Sequence, residues 1–315
     1  MSFSENFLLT GPLSVRLYEA VKDLPLIDWH NHLPVGDLVA NRSYRDLTEL
    51  WVASDPYKHR AMRICGVPEK IITGDVPAIE KFRAWSGVLP QLAGNPLYHW
   101  SQLELQRIFG IEEALTPDTA DAIWEKANAQ LKQPELSARG LLKKFNVEYA
   151  APCASAGDDL SGFAEVPGIV PSLRGDDIFG LTAPLFSETD DIFCMRAHLK
   201  DELMRFHAAG CRFADHALDA GFTYTPDDGR NGQRFIELKK GTLSGADRNA
   251  LACEILRTLG EFYAELGWTL QLHIGALRKT SSRLRAAAGP AGGYAGIGNS
   301  CDVRSLVSLL DDLEQ

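Results

Sequence analysis

Residues 24–34 read Leu-Pro-Leu-Ile-Asp-Trp-His-Asn-His-Leu-Pro. A short apolar run enters this stretch and a polar, histidine-rich end leaves it. That is the pattern of a buried parallel strand that delivers side chains at its C-terminal end. His30 and His32 are two apart, so on an extended strand their imidazoles point to the same side. Two neutral imidazoles so placed can hold a borderline divalent cation such as zinc. Eight histidines scattered at random over the chain give about 0.2 such pairs by chance, so spacing alone is weak and placement after a strand carries the weight. The competing reading is two structural or surface histidines.

Upstream, residues 12–23 (PLSVRLYEAVKD) have Val15, Leu17, Ala20 and Val21 near helical spacing. Downstream, residues 37–142 change character. They hold Trp51, Trp85, Trp100 and Trp124, helical patterns such as DTADAIWEKANAQLK, and turn signals at Gly74-Asp75 and Gly94-Asn95-Pro96. This predicts a mostly helical insertion of about 100 residues, far longer than a connecting loop, with the tryptophans building its own core.

After residue 142 the rhythm becomes strand, then helix. Strands are expected at 145–154, 168–174, 211–218 and 268–277. Helices are expected at 191–210, closing at Gly210, at 244–267, opened by Ser244 and closed by Gly267, and at 302–315. Alternation of this kind indicates parallel β/α architecture. With residues 24–34 the strands number five, whereas a closed β/α barrel needs eight. An open doubly wound sheet is the alternative, but no glycine-rich dinucleotide fingerprint follows the first strand.

Each expected strand ends in reactive residues: His30 and His32, then Cys153 and Ser155, then Arg174, then Asp215-His216, then His273. Barrel active sites assemble at this end from several strands. Taken singly, each has a plainer role. Arg174 reads as a solvated strand end or as a fork for a carboxylate. Asp215 caps a turn or serves as an acid/base or hydroxyl-binding group. His273 is a core histidine or a site residue. The basic tract Ser54–Arg63, with Tyr57 and His59 inside it, is a solvated helix face or a segment reaching over a barrel mouth. His99, His198 and His207 show no pattern above a structural role.

Composition narrows the partners. The 315 residues are 45% hydrophobic and 23% charged, with 32 Lys+Arg against 42 Asp+Glu, for a formal charge of −10. An acidic chain disfavours nucleic acid and anionic membrane as partners, though not a small anion in a locally basic pocket. The six cysteines have no C-x-x-C spacing and are expected as buried reduced thiols of a cytoplasmic protein. The N-terminal stretch lacks a signal-peptide pattern, and no run of about 18 apolar residues is present to span a membrane.

Several blocks, in order, resemble the uronate (glucuronate) isomerase family of the amidohydrolase superfamily. DWHNHL resembles its D-x-H-x-H-L opening, and SDPYKHRAMRICGV its D-H-Y-K-W-R-A-M-R tract. ITGD, EKFRAW, GNPLYHWSQLEL, IFGI, PSLRGDD, GCRFADHALD and GWTLQLHIGALR continue the match over most of residues 10–280. APCASAGDD, Pro56 and His59 depart from it, standing where the family has a T-T-D-D-P-like turn, His and Trp.

The resemblance implies an α/β fold: a TIM-like (β/α)8 barrel of amidohydrolase type with a helical insertion, with the last three β/α units expected to lie outside these 315 residues. Residues 1–36 would carry the first helix and strand, 37–142 the insertion, and 143–315 the remaining barrel units. It implies interconversion of D-glucuronate with D-fructuronate and of D-galacturonate with D-tagaturonate. His30 and His32 would ligate a divalent metal, zinc by preference. Tyr57, Arg174 and Asp215 would be catalytic, and Arg174, His273 and His59 would meet the substrate. The family's later strands supply an aspartate ligand and an arginine; Asp311 and Asp312 fall in an expected helix and do not match that position. The expected partner is a small hexuronate, with a homo-oligomer left open. Two rivals remain: a metal-dependent hydrolase on the same scaffold, and a relative that binds sugar acids without turnover.

Overall fold

The structure, a computed structural model, describes residue 6 and residues 8–289, 292–299 and 302–314. It divides into two units. One comprises Met1–Leu26, Ala40–Val147 and Lys279–Ala295; the other comprises Ile27–Val39, Glu148–Arg278 and Gly296–Gln315.

The first unit is helical, and two of its main helices begin at side-chain caps. The main ones are α1 (Pro12–Val21), α2 (Pro56–Ile64), α3 (Ala78–Val88), α4 (Pro96–Phe109) and α5 (Ala120–Gln130). Asp55 accepts hydrogen bonds from the Tyr57 and Lys58 amides, and Asn95 from Leu97, each with proline at the next position, where no amide hydrogen is needed. Trp51, Met62, Phe82, Trp85, Leu105 and Ile123 meet in a common core. Trp100 corrects the expectation for the tryptophans, since it lies exposed on α4.

The tract 54–63 is not a solvated basic face. Lys58 is buried, 2.8 Å from Asp55 and 5.8 Å from the ring centroids of both Trp51 and Trp85. A buried ammonium needs such an ion pair and aromatic faces to offset its lost hydration. Arg63 forms a two-point bridge to Glu69, 2.7 Å at each contact.

The second unit holds the sheet: β1 (Leu26–Asn31), β2 (Val147–Ser155), β3 (Ser172–Arg174), β4 (Phe213–Leu218) and β5 (Thr269–Ile274), in the spatial order β1-β2-β3-β4-β5. β2 through β5 pair in parallel. Helices α6 (Ile192–Ala208), α7 (Asn231–Lys240), α8 (Gly245–Leu266) and α9 (Val303–Glu314) alternate with or follow these strands. Strands laid down side by side in chain order, with helices between them, form the first five steps of a β/α barrel. Ala214 and Leu218 of β4, Leu199 and Phe206 of α6, and Leu256 and Leu259 of α8 are buried.

Asp191 caps α6 and Ser244 caps α8, which Gly267 ends at φ 67°. α7 has no side-chain cap and was not expected from the sequence. β5 stops three residues early because Gly275 turns at φ 76°, and Ala276–Leu277 pairs antiparallel with Gly296–Ile297. Among the described cysteines, all free, Cys211 and Cys253 are buried, Cys65 and Cys153 half-buried. Cys194 is exposed near the capped end of α6, and Cys301 lies outside the described residues.

Candidate active site

One cluster forms at the sheet. In register, Arg174 ends β3 opposite Asp215 of β4, and His273 of β5 lies opposite Ala217. Side chains two apart on a strand share a face, so Asp215, on the face of Ala217, meets His273. The His273 Nε2 is 3.3 Å from Asp215 Oδ2. Arg174 Nη1 is 3.7 Å from the same oxygen. From β1, His30 Nδ1 stands 4.0 Å from Asp215 Oδ1, and the His30 ring is 5.3 Å from His32 and 5.2 Å from His273. From β2, the Cys153 thiol donates toward Asp215 Oδ1 at 3.6 Å.

Asp215 is 1% exposed, and its Oδ2 is buried without a hydrogen-bond partner among the described residues. A carboxylate taken out of water needs positive charge or donors to stay ionised. Here only Arg174 is permanently cationic. Burial holds His30 below the usual imidazole range despite the neighbouring Asp215. Burial, reinforced by Arg174, does the same to His32. Their lone pairs are therefore open at neutral pH. Burial first, and then Asp215, pushes the Cys153 thiol up to about 12, so it stays protonated.

These donors fit a divalent cation. His30, Asp215 and His273 each offer an atom, all within 4.8 Å of one another, and His30, His32 and Cys153 do the same. An orphaned carboxylate oxygen beside imidazole nitrogens is an N/O site of the kind that zinc and its neighbours favour. Beside it a cavity of about 570 Å³ is lined by His32, Cys153, Ser155, Asp158, Phe163 and Arg174. That volume accommodates a small sugar acid.

The family model described as glucuronate isomerase matches residues 1–315. The chain belongs to the glucuronate isomerase family. Among the relatives of this family, the uronate isomerase of Solibacter usitatus is 36% identical across 100% of this chain and 72% of its own. That of Actinobacillus succinogenes is 35% identical over 99% and 72%. The crystal structure of uronate isomerase from Thermotoga maritima superposes with a TM-score of 0.92 at 30% identity, covering 99% of this chain and 73% of that one. Glucuronate isomerase from Caulobacter crescentus, at 22% identity, shares the fold with a TM-score of 0.86 over 94% and 67%.

The residues singled out in the sequence fall into two groups. His30, His32, Arg174, Asp215 and His273 come together on the sheet unit. Tyr57 and His59 belong to α2 of the helical unit. Tyr57 is 68% exposed. His59, expected at the substrate, is buried, with Nε2 2.7 Å from the Val52 carbonyl. His207 accepts a 3.0 Å hydrogen bond from Trp268, in keeping with a structural role. Asp312 of α9 accepts from Tyr224.

Two functional neighbours were not marked in the sequence. Asp176 takes two hydrogen bonds from Arg174, and Gln271 lies 3.1 Å from His273. The β-strand period could have flagged Gln271, two before His273 on the same face.

Proposed function

We propose that this chain isomerises hexuronates, interconverting D-glucuronate with D-fructuronate and D-galacturonate with D-tagaturonate. The observation that carries the reading is the pairing of Arg174 with buried Asp215, flanked by the imidazoles of His30 and His273, beside a cavity of sugar size.

The chemistry moves hydrogen without an external oxidant. Asp215 removes the C2 proton of the open-chain aldehyde, and the electron pair forms an enediolate across C1 and C2. The 2-hydroxyl proton passes to O1, and return of the first proton to C1 gives the ketose. Arg174 places its guanidinium against the developing oxyanion, where fixed charge in a site withdrawn from water is most effective. His273 hydrogen-bonds a substrate oxygen, and Tyr57 keeps the catalytic role that the family resemblance implies. His30 and His32 would hold a divalent metal, zinc in this proposal, with Asp215 and His273 within reach. When bound, the metal supplies Lewis-acid polarisation of substrate oxygens.

Further readings accompany this one. Residues 37–142 are an insertion between a first segment, 1–36, and the barrel units of 143–315. The site of action is the cytoplasm, supported by the free cysteines. The acidic balance supports a small-molecule partner over nucleic acid or membrane. Among the described residues, no helix is long and apolar enough to cross a membrane.

The test is incubation with each uronate in D2O, followed by NMR. Ketose signals from each uronate are expected. Hydrolysis of esters or amides without ketose would overturn the reading in favour of a hydrolase.

A further inference from the structure

We infer that Asp176 is a positioning residue for the isomerisation, acting through Arg174 by fixing its guanidinium relative to Asp215. The inference rests on the isomerase reading and adds to it a residue that touches neither Asp215 nor the metal donors.

The two oxygens of Asp176 are divided between two tasks. Oδ2 accepts from Arg174 Nε at 3.1 Å and Nη2 at 2.8 Å. Oδ1 accepts from the backbone amide of Ala217 at 2.8 Å. Ala217 is two residues beyond Asp215 on the same strand. One carboxylate thus ties the guanidinium of β3 to the strand that carries Asp215. Arg174 is left with Nη1 turned toward Asp215 Oδ2, 3.7 Å away, and with the cavity beside it.

The turn that carries Asp176 is held from below as well. The Gly175 amide donates to the Asp215 carbonyl at 2.9 Å. Gly175 packs directly on the ring of His216: a Cβ built there would fall 2.0 Å from Cε1. His216, fully buried, is anchored through Nε2 to the Tyr263 hydroxyl of α8 at 2.8 Å. The floor under the turn is therefore rigid, while the arginine side chain has four rotatable bonds, and Asp176 takes two of its donors. Charge-assisted bonds in a fork geometry are strong enough to impose one orientation, and a misplacement of about 1 Å costs on the order of 100-fold in rate.

The test separates the two oxygens. Asp176→Asn keeps an acceptor for the Ala217 amide but presents no charge to Arg174. Asp176→Ala removes both. The first readout is independent of turnover. In ¹⁵N-labelled protein, the Arg174 Nε–H signal, assigned with Arg174→Lys, is expected as a distinct peak that exchanges slowly with water. In Asp176→Asn it should collapse into the envelope of exposed arginines. The second readout is kinetic. Asp176→Asn should lower kcat/KM for D-glucuronate by at least tenfold while its Tm stays within about 3 °C of the unsubstituted protein, and Asp176→Ala should lose Tm as well. An unchanged Arg174 signal in Asp176→Asn overturns the inference. So does kcat/KM within twofold of the parent, or a loss that tracks Tm in both variants. If the parent makes no ketose from either uronate, the isomerase reading fails, and the arginine signal still decides whether Asp176 fixes the guanidinium.

Discussion

Arg174 and Asp215 face each other in register on adjacent parallel strands, yet their nearest charged atoms, Nη1 and Oδ2, stay 3.7 Å apart. Arg174 spends two donors on Asp176 instead. The result is a cation that stabilises the buried carboxylate through space without closing on it. One edge of the guanidinium and one oxygen of Asp215 are both left for a ligand. A salt bridge closed on both sides would stabilise the strands and leave nothing for chemistry.

Arg174→Lys should therefore be far from conservative. An ammonium retains the charge but loses the fork that Asp176 holds. Loss of one transition-state donor of this kind costs roughly 2.7–4 kcal/mol, or about 100- to 1,000-fold in kcat. Steady-state kinetics on D-glucuronate would check it, with most of the loss expected in kcat. A rise in KM alone would show that Arg174 binds ground state and transition state equally.

Asp215→Asn tests the link between the carboxylate and the cation. The amide removes the charge that the two imidazoles and Arg174 surround, and it leaves its NH2 group facing donors. Zinc affinity, measured by competition with a chromophoric chelator, should fall by at least about tenfold. Ketose formation should drop below it, since the proton acceptor is gone as well. Unaltered zinc affinity would confine the metal to His30, His32 and Cys153, the other donor group within reach.

The sequence made the sheet legible because its strands end in residues that a core rejects. His30, Arg174, Asp215 and His273 could each be placed by the rule that barrel chemistry collects at strand ends. Lys58 and His59 were opaque for the opposite reason. Their type and their basic neighbours suggest a solvated face, while two tryptophan rings, Asp55 and the Val52 carbonyl draw them inward. Helix α7 was missed because its buried residues include Asn231 and Arg234, the latter held by Asp228 and by Asp247 at 2.9 Å. A helix secured by ion pairs does not show the apolar period by which helices are read. Asp176 is not legible from spacing because its second task depends on the Ala217 amide of a strand 41 residues away.

The His216–Tyr263 pair is expected to matter for stability. His216 is buried and neutral, its pKa held down at about 4 by burial. Tyr263→Phe removes the hydroxyl 2.8 Å from Nε2 and leaves a buried imidazole nitrogen without its partner. Such an orphan costs about 1–3 kcal/mol. Urea denaturation should show a lower midpoint at unchanged slope, which assigns the loss to the native contact rather than to a more compact denatured state.

A pH-dependent contribution is expected from the helical unit. The Glu69 carboxyl is held down at about 2, first by its hydrogen bonds from Arg63 and, against the opposing effect of burial, by Thr73 as well. Its folded pKa lies below the ordinary value of 4.5. The stabilisation is therefore present above pH 4.5 and is lost as pH falls toward 2, where the folded form also protonates. Because the Glu69 side chain keeps 29% of its exposure, solvent screening reduces the worth of the pair to about 1 kcal/mol. Glu69→Gln should cost that amount at pH 7, and the difference from the parent should shrink as denaturation is repeated downward from pH 5. A gap that holds constant to the lowest pH with cooperative unfolding would mean that Glu69 acts through neutral hydrogen bonds and packing, not through its charge.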